Sequence, residues 1–180
     1  EDVAAVSSIL AQGVFKVIKV EKKEVHRRPP PPFSTSTLQQ AASQKLGFAA
    51  ERTMRIAQSL YEGIDLGAKD PVGLITYMRT DSFFISKTAT EEAAVFLTSQ
   101  YGSNYKPAEP PTYQTKSRGA QEAHEAIRPT SVLRIPDEIK AYLNPDQVKL
   151  YDLIWKRFMA SQMVEAVYDT VAADIENKAR

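Results

Sequence analysis

Four consecutive prolines, Pro29 to Pro32, divide this sequence more sharply than any other feature. Proline has no amide hydrogen to give a sheet ladder, and its ring clashes inside a helix. A run of four can therefore only form an extended connector. Before it, "GVFKVIKVEKKEV" (13–25) is β-branched and aromatic, which predicts a strand whose in/out alternation is imperfect. After it, helical periodicity dominates as far as residue 163.

In "STSTLQQAASQKLG" (34–47), Ser36 and Gln39 have capping-box spacing and Gly47 is a natural stop. "FAAERTMRIAQSLYEG" (48–63) places Ala50, Met54, Ala57 and Tyr61 on one face, expected to be core. "DPVGLITYM" (70–78) breaks the helical pattern with Pro71 and Gly73 and reads as a short buried strand or extended segment. "SKTATEEAAVFLTSQYG" (86–102) is a further helix, with Thr88 and Glu91 spaced as its capping box. Residues 103–117 read as a loop, and "AQEAHEAIR" (120–128) as about two helical turns ended by Pro129. "PDEIKAYL" (136–143) is a short helix. "NPDQVKLYDLIWKRFMASQM" (144–163) is a long one that stacks Leu150, Ile154 and Phe158. "AVYDTVAADIE" (166–176) alternates as a strand. A strand, a helical body and a returning strand are the layout of a helical domain inserted into a β-containing one.

A hydrophobic fraction of 43% and a charged fraction of 25% suit a chain with a substantial core. No apolar run approaches the roughly 20 residues that span a bilayer, so no membrane is expected. There is no leader-like segment and the first residue is Glu1, which suggests a piece of a longer chain. The absence of cysteine excludes disulfides and thiolate-bound metal, and fits a cytosolic origin. Net charge is only +1, so the chain is not a general polycation. Lys16, Lys19, Lys22, Lys23, Arg27 and Arg28 outnumber Glu21 and Glu24 in one stretch, which suits a lysine-protected strand edge or a nucleic-acid surface.

The chemistry on offer is narrow. His26 and His124 lie far apart, no HExxH-type spacing exists, and there is no glycine-rich phosphate loop, so neither a metal site nor nucleotide hydrolysis is expected. Tyr77 has better company. Tyrosine can act as a covalent nucleophile, but its pKa of about 10 calls for nearby positive charge. In an extended segment Arg79 shares the face of Tyr77 and could hold a phosphate bidentately. Taken alone, the triplet also suits a packed tyrosine beside a surface arginine. In "AQEAHEAIRPT" (120–130), a helix would put Gln121, His124 and Arg128 on one stripe, fit for a phosphodiester backbone or simply for solvent.

"PPFSTSTLQQAASQKLGF", "GLITYMRTDS" and "AQEAHEAIRPT", in this order, resemble the type IA DNA topoisomerases, in the bacterial topoisomerase I branch. The methionine before Arg79 fits that branch better than the topoisomerase III pattern, where proline is usual. The resemblance implies a mainly α fold with flanking β-strands: a helical gate domain (33–164) inserted into part of a β-rich arch that acts as hinge (1–32 and 165–180). It implies that Tyr77 attacks single-stranded DNA to give a 5′-phosphotyrosyl link, and that reversal reseals the strand and relaxes negative supercoils without ATP. Arg79 would position the scissile phosphate, and His124 and Arg128 would contact the backbone. Asp81 is grouped with these DNA-binding residues, and its proximity to Arg79 suggests that it orients that arginine through an ion pair. The family's Mg²⁺ belongs to a Toprim domain that these residues do not include, nor do they include the C-terminal DNA-binding modules. The fragment alone is therefore expected to be inactive, and the whole protein to work in the bacterial cytoplasm at the nucleoid. Two other readings compete: a non-catalytic nucleic-acid-binding module using residues 16–28 and the His124/Arg128 stripe, and a helical interaction scaffold.

Overall fold

A computed structural model describes residues 2–67, 70–113 and 124–178. The chain forms two compact units, one made of residues 1–28 and 165–180 and the other of residues 29–164.

The first unit holds helix α1 (Val3–Gln12) and strands β1 (Val14–Arg27) and β2 (Ala166–Lys178), which pair antiparallel. Sequence reading assigns no element to residues 3–12. There Asp2 caps α1 by accepting from the Ala4 amide at 3.1 Å. The imperfect alternation of β1 has a physical cause: Val17 pairs with Ile175 and Lys19 with Asp174, so Ile18 is an extra, bulged residue. The bulge resets the alternation, and Lys16 and Lys19, three apart, both stand opposite acidic residues, Glu176 and Asp174.

The second unit is helical: α2 (Thr35–Leu46), α3 (Ala50–Glu62), α4 (Lys87–Tyr101), the short α5 (Pro136–Ile139) and α6 (Pro145–Ser161). Mainly α with flanking strands is thus the observed class, as expected. Its core is centred on α6, whose Leu150, Tyr151, Ile154, Trp155, Phe158 and Met159 are all buried. They pack with Leu38 and Ala42 of α2, Ala57 and Leu60 of α3, and Ala93, Phe96 and Leu97 of α4. Asn144 and Gln147 cap α6 reciprocally, with Pro145 at its first turn.

Three local expectations are corrected. The capping box of α2 is Ser34 with Thr37, two residues before the expected Ser36 and Gln39. The Thr35 amide bonds the Thr80 carbonyl at 2.8 Å, which fixes the chain's entry into the helix earlier. For α4 the cap position is Ser86, so Thr88 lies inside the helix and makes no box with Glu91. The buried face of α3 is Thr53, Ala57 and Leu60, while Ala50 and Tyr61 are exposed. Thr53 can be buried because its hydroxyl donates to the Ala49 carbonyl at 3.1 Å. No helix among the described residues is long and apolar enough to cross a membrane.

Candidate active site around Tyr77

Tyr77 lies in an extended segment held from both sides by backbone hydrogen bonds. It is not a regular strand: only single bridges occur, Val72 with Ile64 and Ile75 with Pro129. The Leu74 amide donates to the Leu60 carbonyl at 2.7 Å. This close approach requires Gly73, since a Cβ there would sit 2.7 Å from the Tyr61 carbonyl oxygen. On the other side, the Thr76 amide donates to the Arg128 carbonyl at 2.9 Å. The Thr76 hydroxyl donates to the Ala126 carbonyl at 2.7 Å and accepts from the Arg128 amide at 3.0 Å.

Beyond Tyr77 the chain bends, with Met78 buried and Arg79 exposed. Thr35, the first residue of α2, clamps this bend. Its hydroxyl donates to the Met78 carbonyl at 2.7 Å and accepts from the Thr80 amide at 2.8 Å. Thr80 and Ser82, both buried, tie the next turn by accepting from the Ser82 and Phe84 amides at 3.0 Å each.

The Tyr77 ring is half-buried between two others. Tyr61 meets it edge-on with centroids 5.5 Å apart, and His124 lies against it at 5.1 Å and 43°. Its hydroxyl makes no hydrogen bond among the described residues. Arg79, two residues on, makes no ion pair among them either, so the expected pairing with Asp81 is not formed; Asp81 is exposed on the same bend. The sequence therefore brings together a tyrosine and His124, with a surface cation two residues away along the chain.

His124 and Arg128 are not on a helix. Residues 125–129 run without a helical turn between bends at His124 and Thr130, with Ile127 bridged to Phe33 and Pro129 to Ile75. The amides of Ala126, Ile127 and Arg128 bond Phe84, Phe33 and Thr76, which leaves none for helical bonds. The expected stripe is thus absent over this part, and Gln121 falls outside the described residues. Arg128 is largely buried, only 12% of its side chain being exposed. Its Nε pairs with Glu125, Nη1 donates to the Pro129 carbonyl and Nη2 to Ser86 Oγ. Of its five N–H groups, those left over are all it could offer a ligand.

Sequence reasoning missed Thr35, Tyr61 and Thr76 as parts of this site. Thr35 and Thr80 are 45 residues apart, and no spacing rule reaches that far. As for metal, no group of three His, Asp or Glu side chains among the described residues could hold an ion.

A tyrosine packed on a histidine, in a helical unit that lies in sequence between two strands, is the candidate site of this chain. The chain belongs to the DNA topoisomerase family, in its bacterial type IA branch, whose profile matches residues 1–180. It is 53% identical over 166 residues to DNA topoisomerase 1 of Xylella fastidiosa strain 9a5c, and 53% over 165 residues to that of strain Temecula1. Each match spans 92% of this chain and 20% of the relative, so the chain covers about a fifth of the length of those proteins. It also superposes on full-length topoisomerase I from Thermotoga maritima with a TM-score of 0.79 and 39% identity, over 100% of this chain and 30% of that one.

Proposed function

We propose that this chain is the tyrosine-bearing segment of an enzyme that cleaves and reseals single-stranded DNA. The Tyr77 hydroxyl gives up its proton as its oxygen attacks a backbone phosphorus. The bond from phosphorus to the 3′ oxygen breaks, and the departing oxygen takes up a proton to become a 3′-hydroxyl, with no net gain or loss of protons. The new 5′-phosphotyrosyl bond keeps the energy of the broken one, so the reverse attack reseals the strand without ATP, and negative supercoils relax between the two steps. Arg79 holds the non-bridging oxygens and offsets their growing charge. His124 orients the Tyr77 ring from its side and reaches the neighbouring phosphate. Arg128 contributes mainly by fixing the loop that carries His124, with its remaining N–H groups available to the backbone. The single observation behind this reading is the half-buried Tyr77 ring packed on His124, with its hydroxyl unspent and Arg79, two residues away, in no ion pair among the described residues.

Residues 33–164 act as the gate that carries the tyrosine, and residues 1–32 and 165–180 as part of the hinge-forming arch. The described residues do not fit the family's Mg²⁺. In this reading the metal belongs to the Toprim domain of the longer protein, and no step here runs through it. The site of action is the bacterial nucleoid.

The test uses the full-length protein and a 3′-end-labelled oligonucleotide on a denaturing gel. Label should become protein-bound, and Tyr77→Phe should abolish it; an adduct that survives the substitution sinks the reading. These 180 residues alone should give no adduct.

A further inference from the structure

A cleft of about 340 Å³ opens between α2 and α6. Leu46 and Leu153, both part-exposed, make an apolar floor beside the buried Phe33, and Lys45, Lys149, Lys156 and Arg157 line it against one carboxylate, Asp152. Asp152 is already committed, accepting from Lys156 Nζ at 2.8 Å. Lys45, Lys149 and Arg157 have no acidic partner among the described residues. Arg157 is the most telling of them. Its guanidinium lies over the Phe33 ring, 4.6 Å from the centroid, and its Nε is buried without an acceptor among the described residues. Burial pulls its pKa below the usual arginine value, so the site bears a cost that an incoming anion would relieve. No side chain lining the cleft is one that packs on Tyr77.

We propose that this cleft is a second nucleic-acid site, taking a single strand with its phosphates on Lys45, Lys149 and Arg157 and a base or sugar on the apolar floor. Cations without counter-ions select a polyanion, and phosphodiesters release counter-ions when lysines meet them. The apolar floor selects single strand over duplex, because only unpaired bases are free to leave their stack and cover it. An acidic peptide is the competing occupant.

The test footprints lysines in the full-length protein by acetylation and mass spectrometry, with and without an oligothymidylate. Lys45 and Lys149 should be protected at least several-fold, and Lys140, exposed and paired with Asp137 away from the cleft, should not. Equal reactivity with and without the strand overturns the proposal. So does protection by a poly-glutamate peptide at matched charge, or by duplex as strongly as by single strand. As a second measurement, the K45Q/K149Q variant should lower the slope of log affinity against log salt by about 1.4, at roughly 0.7 per lost single-strand contact. An unchanged slope counts against the site. Both lysines are exposed, so the variant should keep the parent's melting temperature. It should also keep adduct formation at saturating oligonucleotide, which separates failure of this proposal from failure of the Tyr77 reading.

Discussion

Thr35 and Thr80 grip each other three ways: the Thr35 amide donates to the Thr80 carbonyl at 2.8 Å, the Thr80 amide to the Thr35 hydroxyl at 2.8 Å, and that hydroxyl lies 3.0 Å from the same carbonyl. With the further bond to the Met78 carbonyl, one side chain holds the backbone on both sides of Arg79. Thr35→Val keeps the shape and deletes the hydroxyl, leaving the Met78 carbonyl and Thr80 amide without that partner. A stability loss of about 1–3 kcal/mol is expected. Adduct formation should fall more than the melting temperature explains, and Thr35→Ser should restore most of it. Equal behaviour of the Val and Ser variants would show that the hydroxyl is idle.

Tyr77→Phe keeps the ring against Tyr61 and His124 and removes a hydroxyl that bonds nothing among the described residues. Its unfolding free energy should stay within about 0.5 kcal/mol of the parent. Adduct formation should vanish while oligonucleotide binding persists.

Arg79→Lys keeps the charge but loses the bidentate fork. It should slow adduct formation at saturating oligonucleotide by roughly ten- to a hundred-fold, since one donor worth about 1.4–2.7 kcal/mol in the transition state is lost. Because Arg79 is exposed and has no ion pair among the described residues, thermal melting should barely move.

Gly73→Ala places a methyl 2.7 Å from the Tyr61 carbonyl oxygen, where backbone must move to make room. The bond from the Leu74 amide to Leu60 should lengthen or break, at a cost of about 1–3 kcal/mol. Hydrogen exchange at Leu74 should speed up, and an unchanged rate would refute the close-approach argument.

Burial raises the pKa of Tyr151 far above the usual tyrosine value, and its hydroxyl donates to the Arg134 carbonyl at 2.8 Å. Below a pH of about 10 both the folded and unfolded chains keep the proton, and nothing is lost. Above it only the unfolded chain releases it, so stability should fall as pH rises. Urea denaturation at about pH 9 and about pH 11 should show that fall, and Tyr151→Phe should flatten it.

Sequence alone carried the order of strand, helices and strand, because proline's missing amide and the helical repeat of Leu150, Ile154 and Phe158 are local properties. The proposal that Tyr77 and Arg79 work together also came from sequence, because they lie two residues apart along the chain. Sequence did not carry the buried face of α3, because Thr53 looks polar until its hydroxyl is seen bonded to Ala49. Nor did it carry the backbone of residues 124–128: the helical pattern is present, but Phe33, Thr76 and Phe84 take the amides a helix would need. What surrounds Tyr77 was decided by tertiary structure. Tyr61, His124 and Thr35 reach that segment through contacts that are set by how α2, α3 and the segments around Tyr77 and Ile127 pack, and packing of distant segments leaves no periodic trace in the sequence.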